Sequence, residues 1–437
     1  MPYNIIIGRN ESDKKLFGDQ GLLKIGKGYV KMGQYTSLSN PIYLDVARSH
    51  VILVSGKRGS GKSYTLGAIA EEISQLDEES RKNIAPLIFD TMGIFWTMKY
   101  ENEKEKNLLS DWGLKPKKLP INVFVPFGCF ENYIEKGIPV DHPFSINVSE
   151  LNSEDWGLLF GLEFTNSTAV LIERVVFMMK EAKMDFDIED ILEKIREDKT
   201  SSVEQKNSAT GLFESAKTWG VFAPKNQDAT KIKDLVTPGT TSVLDLSVYN
   251  SVGTFNIRAL VIGLVCRKLF NERMSARKEE EVEAVRHGID YLAFQGIRKM
   301  PLTWVFIDEA HEFLPKEGKT PASDALVQIL REGRQPGLSL VLATQQPGQI
   351  HRDVMTQSDV VISHKITAQP DIQALNDIMQ TYLLESIKKS IDDLPKLKGS
   401  AIILDDNSER IYPIRVRPRF TWHGGEAPTA VRVKKRI

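Results

Sequence analysis

Apolar residues in this chain fall into two patterns, short continuous runs and stretches where they recur every third or fourth position. The runs at 51–54, 85–90, 121–126, 241–246, 302–308, 339–343 and 360–364 predict strands buried on both faces, and 399–404 and 412–416 predict two more. Helical spacing marks 64–73 (Leu66, Ile69, Ala70, Ile73), 152–159, 169–182, 188–195, 204–219, 256–271, 321–332 and 371–389, with Ser153 and Asp187 as candidate caps. Strands alternating with helices predict an α/β fold: a mainly parallel sheet covered by helices on both faces.

Three stretches break this rhythm. Residues 1–50 hold short apolar runs at 4–7, 22–25, 29–32 and 42–46, punctuated by glycines, with no helical pattern. They predict a small β-rich lead-in of hairpins that packs on the core as a lid. Residues 131–235 are mostly helical and read as an insertion, with Trp156, Phe160, Phe164 and Phe177 expected in its core. The stretch 275–286, with Arg277, Lys278, three consecutive glutamates and Arg286, reads as solvated and charged. The chain thus divides into a β-rich segment (1–50), a first core part (51–130), the insertion (131–235), a second core part (236–420) and a C-terminal brace or tail (421–437).

Composition narrows the function classes. Lysine and arginine (57) balance aspartate and glutamate (58), so any nucleic-acid contact comes from a local patch rather than a global field. Lys99, Lys115, Lys117 and Lys118 read as solvated surface before they read as such a patch. Cys129 and Cys266 lie far apart and outside metal-ligand spacing, which argues against a disulfide scaffold or structural zinc. No window reaches membrane-spanning length, and the start lacks a basic segment followed by a long apolar one. The expectation is a soluble, cytoplasmic protein with no membrane partner.

Chemistry concentrates after the first long apolar run. Gly56, Lys57, Arg58, Gly59, Ser60, Gly61, Lys62 and Ser63 complete the spacing G-x-x-x-x-G-K-[ST] between a strand and a helix that opens at Tyr64. Glycines let successive N–H groups turn inward on a phosphate chain, and the helix adds its positive end. Lys62 reaches the β/γ-phosphates and the Ser63 hydroxyl ligates Mg²⁺. The predicted ligand is ATP with Mg²⁺.

The run 302–307 ends in Asp308 and Glu309. In a P-loop enzyme one acid there holds Mg²⁺ and the next activates the attacking water, so Asp308 is assigned to the metal and Glu309 to the base. Gln345, with Thr344 second, ends a neighbouring strand and is the candidate γ-phosphate sensor. Arg331 and Arg334 flank a helix end before a Gly/Pro turn, and their fork of donors suits phosphoryl charge on a neighbouring subunit's nucleotide. Asp90 also ends a strand, near the nucleotide or a polymer path, or as a plain turn residue.

Together these features resemble the HerA/FtsK group of P-loop ATPases, and its HerA-type branch in particular. The resemblance rests on GKRGSGKS at 56–63, VFIDEAHEFLP at 305–315, LREGRQPGLSLVLATQQP at 330–347, the lead-in LDVARSHVILVSG at 44–56 and the late His423-Gly424-Gly425. It implies a RecA-like core, a homo-hexameric ring with nucleotide at subunit interfaces, and duplex DNA drawn through a central pore as a translocase or helicase. A nuclease or other effector partner, in DNA end processing or anti-phage defence, is implied as well. The first 50 residues look shorter than the family's usual β-barrel cap, and Gln346 stands where many relatives carry arginine. Other readings are a ring that scaffolds an effector without translocating, and a conjugation-type or packaging ATPase at a membrane.

Overall fold

The computed structural model describes every residue except 1–2, 33–34, 164, 183–184, 226, 252–256, 288–297, 299, 379–383, 427–429 and 431–437. Phe164 and the basic run 431–437 therefore lie outside the described residues. The strands are β1 (Ile5–Ile7), β2 (Leu22–Met32), β3 (Tyr35–Asp45), β4 (Val51–Ser55), β5 (Ile84–Asp90), β6 (Ile121–Pro126), β7 (His142–Phe144), β8 (Thr241–Asp245), β9 (Leu302–Ile307), β10 (Leu338–Thr344), β11 (Val360–His364), β12 (Ser400–Asp405) and β13 (Arg410–Val416). They join in one 13-stranded sheet, ordered β1-β3-β2-β13-β12-β11-β4-β10-β9-β5-β8-β6-β7. From β11 to β7 every pairing is parallel.

Parallel strands need crossover connections, and helices supply them on both faces. Side chains alternate accordingly. Leu53, Leu87, Phe89, Val305, Ile307, Leu340 and Leu342 pack on one side with Leu260, Leu264, Leu326 and Ile329. Ile52, Val54, Ile88, Phe306, Val341 and Ala343 pack on the other with Leu66, Ile69 and Ile73 of the helix α2 (Lys62–Ile73). Both faces are dry, which is why these strands read as unbroken apolar runs. The loops that follow β4, β9 and β10 leave the sheet at a shared C-terminal edge.

The N-terminal segment is not a separate lid. β2 pairs antiparallel with β13, β13 with β12, and β12 with β11, so the hairpin continues the core sheet through the last strands of the chain. An open strand edge presents unpaired N–H and C=O groups, and this pairing satisfies them. A helix also forms where none was expected, α1 (Glu11–Phe17). Its residues are mostly polar, so periodicity is silent there; its signal is Asn10, whose side chain accepts the Asp13 N–H at 2.8 Å.

A buried charge network binds this segment to the core at the edge opposite the glycine loop. His50 Nδ1 lies 2.6 Å from Asp359 Oδ2, and its Nε2 lies 3.3 Å from Asp45 Oδ2. The Arg9 guanidinium is bonded to Asp45, and the Gly8 N–H donates to Asp405 at 3.0 Å.

Between β6 and β8 the helices Ser153–Phe160, Ser167–Glu181, Ile188–Glu197 and Val203–Lys217 form the expected bundle. Trp156 and Phe160 are buried, and Trp156 meets Phe213 at 4.8 Å between ring centroids. Phe177 is 60% exposed, so it is not a core residue. Asp187 caps its helix, whereas the cap before Ser153 is Asn152. The charged stretch 275–286 is not solvated throughout: it continues the helix Ile257–His287, which buries Glu280 and Ala284 and pairs Arg273 with Glu280 at 3.2 Å. The span 371–389 holds parts of two helices, Gln369–Ile378 and Leu384–Asp392.

Candidate nucleotide site

β4 runs straight into the glycine loop, and the loop's curl depends on its glycines. Gly56 has φ 157°, Gly59 φ 73° and Gly61 φ 112°, and Gly61 is the residue from which α2 springs. A Cβ at Gly56 would sit 2.8 Å from the Cβ of His364, which underlies the loop from the end of β11. Lys57 and Arg58 project into solvent. Lys62 is buried and its Nζ reaches back 3.5 Å to the Lys57 carbonyl; burial pulls its pKa down, against the opposing pull of Glu309 and Asp308.

Asp308 follows β9, which lies one strand from β10, itself the neighbour of β4. The register sets Thr344 opposite Ser55, so the ends of these strands share one edge. Across it the Ser63 hydroxyl donates to Asp308 Oδ2, and the Gln345 amide donates to Glu309 Oε1. Lys62, Ser63, Asp308, Glu309 and Gln345 are thus brought together.

The Ser63 hydroxyl and the Asp308 carboxylate are the hard oxygen donors that Mg²⁺ takes. No cluster of three or more His, Cys, Asp or Glu among the described residues could hold a metal by itself.

Glu309 sits in the left-handed region at φ 50°, which costs a non-glycine residue about 1 kcal/mol or more. Burial pushes its pKa up, and the Asp308 charge adds to the rise. Its Oε2 is sealed from solvent without a hydrogen-bond partner. His311 Nδ1 faces that oxygen at 3.7 Å and lies 3.2 Å from Thr344 Oγ1.

Sequence reasoning assigned no role to His311, although it stands in the quoted run DEAH. Nor did it single out His364, a lone histidine ending a strand. His364 Nδ1–H donates to the Ser400 carbonyl at 3.1 Å, so its Nε2 accepts from the Thr65 hydroxyl at 2.8 Å. Burial drives its pKa down to about 4, which keeps the ring neutral beneath the loop.

The last described stretch straps α2 down. Glu71, fully buried, receives Arg417 at 2.9 Å, Arg419 at 3.0 Å and the N–H groups of Phe420 and Thr421 at 3.2 and 3.1 Å. Burial alone would raise the Glu71 pKa; the two guanidinium groups overcome it and hold it low. A Cβ on Gly67 would come within 2.4 Å of Arg419 Nη1, so the strap needs a glycine there. Tyr64, next to Ser63, donates to Glu105 at 2.7 Å and meets the His423 ring edge-on at 5.3 Å.

The two arginines lie elsewhere. Arg331 falls in the last turn of the helix Ser323–Glu332 and Arg334 follows it, both ahead of β10. A strand of seven residues spans about 20 Å, so they sit toward the sheet edge opposite the glycine loop. Arg331 is bonded to Asp353 at 2.6 Å; Arg334 is exposed and pairs with no acid among the described residues. Asp90 caps its own turn, accepting the N–H groups of Met92, Gly93 and Phe95 at 3.1, 2.8 and 2.7 Å. Lys99 is bonded to Asp141, and Lys117 to Gln75.

A parallel sheet with a glycine loop on one strand and an acidic pair two strands away defines a RecA-like P-loop fold. Residues 30–268, more than half of the chain, match the family model of the central domain of the helicase HerA, and the chain belongs to that family. It is 28% identical over 189 residues to the DNA double-strand break repair helicase HerA of Pyrococcus furiosus, covering 39% of this chain and 31% of that protein. It is 23% identical over 377 residues to a Methanocaldococcus jannaschii protein named "Probable DNA double-strand break repair helicase HerA", covering 81% and 68%. The first of these matches thus spans about a third of the relative's length. Among solved structures, VirB4 of Thermoanaerobacter pseudethanolicus shares the fold at TM-score 0.55 and 13% identity, over 91% of this chain and 96% of that one. Among the described residues no helix is long and apolar enough to cross a membrane.

Proposed function

We propose that this protein is an ATP-hydrolysing motor that moves duplex DNA through a homo-hexameric ring. The observation that carries the reading is the meeting of Lys62, Ser63–Asp308 and Glu309–Gln345 at one sheet edge. Lys62 and the loop N–H groups bind the phosphates. Ser63 and Asp308 hold Mg²⁺, which when bound neutralises charge on the β- and γ-phosphate oxygens. Glu309 takes the proton of a water whose oxygen attacks the γ-phosphorus as the bond to the bridging oxygen breaks, and Gln345 senses the γ-phosphate.

Lys62 is the buried cation at this edge, while Lys57 and Arg58 project into solvent, and the spreading phosphoryl charge calls for a further cation. Arg334, exposed at the far edge, is the arginine free to reach a neighbour's nucleotide; Arg331 is occupied by Asp353. That arrangement makes hydrolysis depend on a closed head-to-tail ring. Membership of the HerA family, whose members named above are called DNA double-strand break repair helicases, supports DNA as the polymer moved; a nuclease or other effector partner is part of the proposal.

The test is ATP turnover by the purified protein with and without duplex DNA, together with a native mass. We expect DNA-stimulated turnover by a hexamer, abolished in Lys62→Ala. Slow turnover indifferent to DNA would favour a scaffold, and normal turnover in Lys62→Ala would place the nucleotide elsewhere.

A further inference from the structure

The two oxygens of Glu309 are treated unequally. Oε1 receives the Gln345 amide, while Oε2 is sealed from solvent with no hydrogen-bond partner. The donor facing Oε2 is His311 Nδ1, 3.7 Å away and just beyond hydrogen-bond reach. The same nitrogen lies 3.2 Å from Thr344 Oγ1, which itself accepts the Gln346 N–H at 3.0 Å. His311 therefore stands between the carboxylate and the end of the strand that carries Gln345. Beside a carboxylate the favoured tautomer puts the proton on Nδ1.

The backbone keeps His311 in this place. It lies in the single turn Ala310–Glu312, which opens at the left-handed Glu309 and closes with the Glu312 N–H donating to the Glu309 carbonyl at 2.9 Å. Ala310, the first residue of the turn, and Phe313, which follows it, are fully buried. A nucleotide that draws the Gln345 amide to its γ-phosphate takes away the hydrogen bond that Glu309 now has. A carboxylate left bare there would swing aside or take up a proton, and either outcome disables a base. We propose that His311 is the positioning residue of Glu309: its Nδ1–H moves from Thr344 onto Oε2 as Gln345 leaves, holding the carboxylate with Oε1 turned to the water. The proposal rests on the ATPase reading given above.

Three variants test it: His311→Ala, His311→Phe, which keeps ring volume without a donor, and His311→Gln, which keeps a donor. ATP turnover, ATP affinity and thermal midpoint are measured for each. The expected result is a fall in kcat of about 10-fold or more in the Ala and Phe variants. ATP affinity stays within about twofold and the Gln variant recovers most of the loss, as a donor role requires. In a Glu309→Gln background His311→Ala should cost nothing further, because residues that act as one unit are not additive. Wild-type kcat in Ala and Phe, beside an inactive Lys62→Ala, would overturn this proposal alone. So would a Gln variant as slow as Ala with an equal fall in thermal midpoint, the mark of a structural role. Absent wild-type turnover, or normal turnover in Lys62→Ala, would overturn the ATPase reading and this proposal with it.

Discussion

Raising the pH from 6.5 to 9.5 should weaken the fold through one buried imidazole. His50 is 3% exposed, with Asp359 on one ring nitrogen and Asp45 on the other, and Arg9 behind Asp45. Burial alone would lower its pKa, but the Asp359 charge and hydrogen bond, then those of Asp45, raise it to about 9. The unfolded chain titrates near 6.5. Between those values the native state holds a proton the unfolded state has lost, so stability falls as pH rises. The stabilisation is fully present below about 6.5 and lost as pH climbs through about 9. A difference of about 2.5 units is worth about 3 kcal/mol, a large share of the stability of a typical domain. Urea unfolding across this range should show the wild type losing that much more than His50→Gln, and a histidine Cε1–H NMR titration should show an inflection near 9. Equal pH slopes in the two proteins, or an inflection near 6.5, would refute the reasoning.

Three further outcomes follow from the geometry. Glu309→Gln should keep ATP affinity and lose about 100-fold or more in kcat, because an amide cannot take the water's proton; Asp308→Asn should instead weaken Mg²⁺-dependent binding, and isothermal titration with and without Mg²⁺ separates the two. Gly67→Ala should lower stability by about 3 kcal/mol, since the new Cβ would lie 2.4 Å from Arg419 Nη1 and push it off Glu71; an unchanged melting temperature would mean the strap is looser than described. Lys62→Ala mixed with Arg334→Ala should regain turnover, because some ring interfaces then pair an intact loop with an intact arginine, whereas Lys62→Ala mixed with Arg331→Ala should show no such gain if Arg331 only braces Asp353.

The sequence made the centre of the sheet easy to read and its margins hard, for a physical reason. Strands buried on both faces must be apolar throughout, so β5, β6, β9, β10 and β11 declare themselves within a residue or two. The glycine loop and acidic pair are local motifs and need no tertiary knowledge. What failed depends on distant partners. The second half of the helix Ile257–His287 buries Arg273, Glu280 and Ala284 at helical spacing, but two of the three are charged and satisfy each other, so hydropathy is blind to that face. Glu71 meets Arg417 and Arg419 across 346 and 348 residues, a separation no spacing rule reaches. The join of β2 to β13 belongs to the same class. Phe177 failed in the opposite sense, an aromatic in a helical pattern that nonetheless faces outward.

Those distant contacts also divide the candidate site into a stiff half and a yielding half. α2, which carries Lys62 and Ser63, is tied by a doubly paired buried carboxylate, by the Thr65–His364 bond and by apolar residues along its length. Breaking such buried pairs costs about 3–5 kcal/mol, more than a phosphate contact is expected to spend on moving a helix. Glu309 and Gln345 are joined by one side-chain hydrogen bond, and the Glu309 backbone is already in the left-handed region. Exchanging one hydrogen bond there costs about 1 kcal/mol. A bound triphosphate would therefore leave the phosphate cradle where it is and rearrange the ends of β9 and β10. The Gln345 side chain and the segment after it would move first, and this segment leads out toward the helix Arg352–Gln357 that holds Arg331. On the proposed reading, the nucleotide would be gripped by the stiff half of the site and reported by the yielding half.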